Sequence, residues 1–199
     1  QQNINIANIK DTDVITIVRE SVKSCIQVFI YRSGQNWGNK SFFPKHDKDV
    51  STDEIIDRFI VDFYTKYKPP SEILLNHNLS EKRLISESLK SIHKINVNFL
   101  IPERGKKKDL IDYAIKNTKL SLNTHISESI SNEKILNDLS NALGIRNKIN
   151  RIETYDNSHL FGKNAVGAMI VFNKNGFDKT AYRKFNIDHE NITPGDDYG

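Results

Sequence analysis

The chain has 199 residues, 37% of them hydrophobic, and a formal net charge of +4. No apolar run approaches the roughly 20 residues that a membrane-spanning helix needs, and residues 1–25 lack a signal-peptide pattern. The one cysteine, Cys25, excludes a disulfide framework and a cysteine-based zinc site, so we expect a cytoplasmic protein with no membrane partner.

The first part of the chain predicts three strands followed by alternating helices and strands. Alternating apolar residues predict strands at 14–18, 25–31 and 39–43. Ser51 and Glu54 have the spacing of a helix capping box, and apolar residues then repeat at helical spacing up to Tyr67. Beyond it we expect a strand at 72–75, a helix at 79–91, a strand at 97–101 and a helix at 107–122. This order is typical of a ribonuclease-H-like α/β fold, a mixed sheet with helices on both faces.

Residues 151–199 predict the beginning of a second such unit. Residues 123–150 are polar and read as a connector with one helical stretch at 135–143, closed by Gly144. Strands are then expected at 152–156, 165–172 and 179–187. The two hairpins resemble each other, which suggests an internal repeat with Asp156 falling near Arg19 and Glu20 of the first copy. The first copy would then lack the strand-centre carboxylate and be non-catalytic.

Asp156 is the candidate catalytic residue. Cleavage of a phosphodiester by paired metal ions needs clustered carboxylates, and a strand holds such a group rigidly. The structural alternative is an exposed aspartate at a strand end with no catalytic role. His159, Arg183 and Lys184 are candidate phosphate contacts nearby, and Gly162 is expected to permit an unusual backbone conformation.

Two further groups are candidates for binding nucleic acid. The densest positive run, ahead of a predicted helix, comprises Arg104, Lys106, Lys107 and Lys108. Its alternative is an ordinary solvated surface. Trp37, Tyr31, Phe42 and Phe43 could stack single-stranded bases, although core and edge packing is the better interpretation.

Several motifs in order resemble the UvrC family of the ABC excinuclease. They are YDNSH at 155–159 with Gly162, VGAMIVF at 166–172, YRKFNI at 182–187 and PGDDYG at 194–199, preceded by QVF at 27–29, SFFP at 41–44, PSEILL at 70–75 and PERG at 102–105. The resemblance covers nearly the whole chain. It implies the incising nuclease of bacterial nucleotide excision repair, acting on damaged double-stranded DNA together with the excinuclease component UvrB through a segment absent here.

The resemblance further implies an Asp-Asp-His catalytic set with a divalent metal, Mg²⁺ or Mn²⁺, of which only the first aspartate maps here, onto Asp156. The second aspartate and the histidine are expected beyond Gly199, so the chain alone should be inactive. Residues 1–122 would be a ribonuclease-H-like module without the catalytic acid. Residues 123–150 would be the connector, and residues 151–199 would begin the endonuclease domain.

Two alternatives stay open. The chain could be a non-catalytic scaffold that binds DNA or protein. It could also be an unrelated ribonuclease-H-type enzyme such as a transposase, which needs two more acids after Asp156. The available ones, at positions that fit poorly, are Asp178, Asp188, Asp196 and Asp197.

Overall fold

The computed structural model describes residues 11–160 and 163–187. The chain divides into two compact units, Gln1–Asn123 and Thr124–Gly199. Residues 1–10, which the sequence predicts to be a frayed lead-in, lie outside the described part.

The first unit contains a five-stranded mixed sheet in the order β3-β2-β1-β4-β5. β2 pairs antiparallel with β1 and β3, whereas β4 pairs parallel with β1 and β5. This is the predicted ribonuclease-H-like arrangement of three antiparallel strands continued by parallel ones. The strands are β1 Thr12–Glu20, β2 Lys23–Arg32, β3 Gln35–Phe42, β4 Glu72–Leu75 and β5 Asn98–Leu100.

Two helices lie within this unit, α1 Thr52–Lys66 and α2 Lys82–His93. The predicted cap of α1 is confirmed, because the Ser51 hydroxyl accepts a hydrogen bond from the backbone N–H of Glu54 at 3.1 Å. α2 begins later than predicted, after Glu81, whose backbone N–H donates to the Asp57 carboxylate of α1 at 3.0 Å. None of the described helices is long and apolar enough to cross a membrane.

The sheet of the first unit is covered on both faces. One face packs against α1 and α2 through a core that includes Ile15, Ile26, Ile56, Ile60 and Leu89. The other face packs against the beginning of α3 Gly105–Ala142. That smaller core consists of Val14, Phe29, Tyr31, Leu74, Leu110, Ile111 and Ala114.

Buried polar side chains on β1 are paired. The Asp13 carboxylate, 2% exposed, accepts hydrogen bonds from Arg32 at 2.7 Å and from the Tyr64 hydroxyl at 2.7 Å. Burial, followed by the Asp13 charge, raises the pKa of Tyr64 well above its usual value. Tyr64 therefore remains a hydrogen-bond donor, and Asp13 ties β1 to both β2 and α1.

The sequence predicts two separate helical stretches, at 107–122 and 135–143, and this separation is wrong. A single helix, α3, runs through the proposed connector as far as Ala142, and the boundary between the two units falls inside it. No glycine or proline interrupts residues 106–143, and buried Leu122, Ser129 and Leu136 recur every seven residues on one helix face. Gly144 does end the helix, in a Schellman motif whose bonds run from Ile145 N to Ser140 O and from Gly144 N to Asn141 O.

The second unit contains a small antiparallel sheet in which β7 pairs with β6, β8 and β9. Its strands are β6 Arg151–Leu160, β7 Lys163–Asn173, β8 Gly176–Phe177 and β9 Arg183–Asn186. The predicted continuous strand at 179–187 is wrong, because Lys179–Ala181 forms a 3₁₀ helix. The Asp178 carboxylate starts that turn by accepting from the backbone N–H of Thr180 at 3.2 Å and from its hydroxyl at 2.6 Å.

We expect the Cys25 thiol to be unreactive in the folded chain. It is fully buried, and burial raises its pKa to about 11, so almost none of it is thiolate at neutral pH. A thiol-specific disulfide reagent at about pH 7.5 should label no cysteine in buffer and one equivalent in denaturing urea. Rapid labelling of the native chain would contradict the buried position of β2.

Candidate active-site strand

Asp156 lies in the middle of β6 and begins a row of three residues across the sheet. It pairs directly with Ala168 of β7, which pairs with Lys184 of β9. Directly opposed residues share a face of the sheet, so Asp156 and Lys184 lie on the same side. Their backbones are about 10 Å apart, two strand spacings, and all three residues are exposed. This open face offers an acid and a cation to a ligand.

The other predicted phosphate contacts are placed differently. Arg183 belongs to the neighbouring row with Tyr155 and Met169, which alternation puts on the opposite face from Asp156. Its guanidinium donates to the backbone carbonyls of Thr180 at 3.2 Å and Tyr182 at 2.8 Å. The backbone of His159 belongs to β6, but its side chain lies outside the described part, as does Gly162.

An exposed polar cluster occupies that opposite face of β6. The Glu153 carboxylate accepts hydrogen bonds from the Tyr155 hydroxyl at 2.7 Å and from Arg151 at 2.6 Å. These two bonds, with Tyr155 the larger influence, lower the pKa of Glu153, and the same bond to Glu153 raises the pKa of Tyr155. Glu153 is thus engaged locally and does not support Asp156.

The described residues do not form a metal site. Among the described side chains, which leave out those of residues 158–165, no group of three or more His, Cys, Asp or Glu is placed to hold a metal ion. Asp156 is an exposed carboxylate that could serve as one ligand, and a metal pair needs several. The transposase alternative needs further acids. Of its candidates, Asp178 caps the 3₁₀ helix, and Asp188, Asp196 and Asp197 lie outside the described part.

The two sheets allow the position of Asp156 to be compared with the first unit. The hairpins close at Glu20 opposite Lys23 and at Leu160 opposite Lys163. Four residues before each closing pair stand Thr16 and Asp156. The residue at the centre of β1 is therefore a threonine, and the predicted repeat, with Asp156 near Arg19 and Glu20, stays a prediction.

Thr16 is fully buried beneath α3 in a network of neutral hydrogen bonds. Its hydroxyl lies 2.5 Å from that of Thr118, which donates to Gln27 at 3.2 Å. The Gln27 amide in turn donates to Asn39 at 3.2 Å and to Ser41 at 3.1 Å. Sequence patterns missed this network, although the polar Thr16 and Gln27 within apolar strands were a signal of it. Position 16 is closed to ligands, whereas Asp156 is open.

The basic run lies at the start of α3, and half of it is engaged in ion pairs. Lys107 contacts Glu72 at 2.6 Å, and Lys108 contacts Asp112 one helical turn further on. Arg104 and Lys106 are exposed and have no ion-pair partner among the described residues. These two cations are the members of the run available to an external anion.

Of the aromatic residues that could stack bases, which lie on β2 and β3 or directly after β3, some are packed and others are exposed. Tyr31 is buried, and Phe42 packs edge-on against Phe59 with ring centroids 5.0 Å apart. Packing is thereby confirmed for these two residues. Trp37 is 72% exposed, so the packing interpretation is wrong for it.

Comparisons with known proteins agree across both units. The family model of the UvrC ribonuclease H-like domain matches residues 11–125, and that of the UvrC RNase H endonuclease domain matches residues 140–199. Proteins named UvrABC system protein C from Nitrobacter hamburgensis and Rhodopseudomonas palustris are each 43% identical to the chain over its whole length. One from Bradyrhizobium diazoefficiens is 42% identical. The chain spans about 29% of the length of these relatives.

Among solved structures, a Bacteroides thetaiotaomicron protein with an actin-like ATPase fold and unknown function aligns with 53% of this chain and 39% of its own. The TM-score is 0.31 and the sequence identity 14%. A similarity this low carries no argument about fold or function.

Exchanging the two equivalent residues should have unequal effects on stability. Thr16→Asp would bury an unpaired carboxylate beneath α3 and lower the free energy of unfolding by about 3 kcal/mol or more. Asp156→Thr, on an exposed face, should change it by less than about 0.5 kcal/mol. Urea unfolding followed by far-ultraviolet circular dichroism measures both. Equal costs would contradict the difference in burial.

Proposed function

Because the chain belongs to the UvrC family, we propose that it is part of the incision nuclease of bacterial nucleotide excision repair. In the intact protein it would take part in hydrolysing a phosphodiester on the 5′ side of a DNA lesion. The observation that carries this proposal is the exposed Asp156 at the centre of β6, within the residues matched by the family's endonuclease domain. A carboxylate held on a strand and open to a ligand is suited to phosphodiester chemistry.

The two units have different roles in this proposal. Residues 1–122 form a module that supports the protein without catalysing incision, as the buried Thr16 at the position of the acid suggests. Residues 123–150 connect it to residues 151–199, the beginning of the nuclease domain. Lys184 shares the face of Asp156 and would contact a DNA phosphate there, and His159 and Arg183 remain candidates for further phosphate contacts.

The cofactor and partners are proposed for the intact protein. A divalent metal, Mg²⁺ or Mn²⁺, would have Asp156 as one of its ligands, the other ligands lying outside the described residues. Damaged double-stranded DNA is the substrate, and UvrB of the same excinuclease is the protein partner. Bacterial DNA as substrate implies a cytoplasmic location.

Replacing Asp156 in the intact protein should abolish the 5′ incision. Asp156→Asn keeps the size of the side chain and removes its charge, and the loss of a group on which the chemistry depends costs about 10²- to 10⁴-fold. The assay follows cleavage of a lesion-bearing duplex in the presence of the other components of the excinuclease and Mg²⁺ or Mn²⁺.

Glu153→Gln is the matched control, since it removes a carboxylate from the opposite face of the same strand. We expect it to retain activity, and the 199-residue chain alone should not incise. Full activity of Asp156→Asn, or Asp156-dependent incision by the isolated chain, would refute the proposal.

We also propose that Arg104 and Lys106 contact DNA phosphates. Replacing both by alanine should weaken duplex binding and reduce the slope of log K against log salt by about 1.8, since each neutralised phosphate contributes about 0.9. Replacing Lys107 and Lys108 should change the slope less, because Glu72 and Asp112 already pair with them. Fluorescence anisotropy at several salt concentrations measures both slopes. Identical slopes for both double variants would oppose this assignment.

A further inference from the structure

Trp37, the only tryptophan of the chain, occupies an unusual position on edge strand β3. Tyr31 pairs with Asn36 and Ile30 with Gly38, so Trp37 is the extra residue of a β-bulge. Gly38 permits the bulge with φ of +126°. With 72% of the residue exposed, the indole makes no hydrogen bond or ring contact with any other described residue. An indole is costly to leave in water, and a bulge re-aims its side chain, so this position fits a binding role.

The polar side chains around Trp37 are mostly neutral or already paired. In the register of β2 and β3, the cations nearest Trp37 are Arg32 and Lys40, and the Asp11 carboxylate accepts a hydrogen bond from the backbone N–H of Ser33 in the turn at 3.0 Å. Arg32 is engaged by the buried Asp13, and Lys40 lies over the ring of Phe42, 5.2 Å from its centroid. The nearby polar side chains are neutral amides, Gln35, Asn36 and Asn39. An exposed indole flanked by neutral amides suits stacking against an unpaired base, and the cations for its phosphates must come from elsewhere at this end of the unit.

The sheet register places the free cations of the basic run at the same end of the first unit. Glu72, which holds Lys107, begins β4 and pairs with Thr12. Thr12 pairs with Tyr31, and Tyr31 with Asn36, the residue before Trp37. Three strand spacings therefore separate the Glu72 end of this row from Trp37, about 14 Å. Arg104 and Lys106 precede Lys107 at this end of the sheet.

We propose that this end of the first unit binds a short stretch of unpaired DNA, with a base stacked on Trp37 and phosphates held by Arg104 and Lys106. A π-face accepts any base, so the site recognises unstacked nucleotides rather than a sequence. The identity of the ligand as DNA rests on the proposed function, but the site is independent of Asp156.

Trp37 itself reports on the site, because the chain contains no other tryptophan. Titration of the 199-residue chain with a short oligothymidylate should quench its emission saturably. A fully paired hairpin of the same length should quench it much less. Asp156→Asn should leave the quenching unchanged, which separates failure of this site from failure of the proposed nuclease role.

Variants test the contribution of the indole by anisotropy of a labelled oligothymidylate. Trp37→Leu should weaken binding about 5- to 150-fold, the range for loss of one stacked base, and Trp37→Phe should retain most of the affinity. Leu84→Ala is the control at another exposed apolar residue, 61% exposed on α2, and should bind as the unmodified chain does. Because Trp37 is exposed, thermal unfolding should be unchanged in its variants.

Unchanged emission together with unaltered affinity of Trp37→Leu would overturn the proposal. A shift of Trp37 emission to shorter wavelength on adding UvrB, without any change on adding DNA, would also overturn it and assign this surface to a protein partner. If the double variant Arg104→Ala and Lys106→Ala is quenched with the affinity of the unmodified chain, these two residues do not hold the phosphates, and that part of the proposal is wrong.

Discussion

The packing of β1 is the constraint on which the first unit depends. Residues 12–17 of this strand are buried on both faces, and the strand is paired on both edges. Any polar atom there must find a partner within the protein, because none is accessible to water. Asp13 is satisfied by Arg32 and Tyr64. Beyond the end of β4, the Asn76 side chain continues the ladder by bonding the backbone N–H and carbonyl of Ile17, each at 2.9 Å.

The same constraint explains why the centres of β1 and β6 carry different residues. At Thr16 a carboxylate would have to lose its hydration beneath α3, and a neutral hydroxyl bonded to Thr118 avoids that cost. Asp156 stands on an exposed face and keeps its hydration until a ligand arrives. Burial of the strand centre thus requires a neutral residue in one unit, and exposure of the strand centre leaves a carboxylate open to a ligand in the other.

The sequence predicted those parts of the fold that local patterns determine. The strands of the first unit and α1 follow from apolar periodicity and from the Ser51 cap, and Asp156 stood out through its flanking motif. The continuity of α3 was missed because serine and asparagine weaken the helical pattern without preventing a helix. The bulge at Trp37 depends on which residues of β2 and β3 pair, and the network around Thr16 joins residues up to 102 positions apart. Such features depend on which residues of different strands pair, and a local sequence pattern does not determine that pairing.

A neutral residue at position 16 is compatible with the proposed DNA site elsewhere in the same unit. The row of paired residues that leads to Trp37 crosses β1 at Thr12. Thr16 lies four residues further along β1, about 13 Å away. Burial of the strand centre at Thr16 therefore places no constraint on the exposed end of the sheet at Trp37. A neutral, buried residue at position 16 needs no hydration. The first unit can therefore be stable and still expose cations and an indole at the end of its sheet. Under the two proposals together, the first unit would bind unpaired DNA and the second would take part in its cleavage.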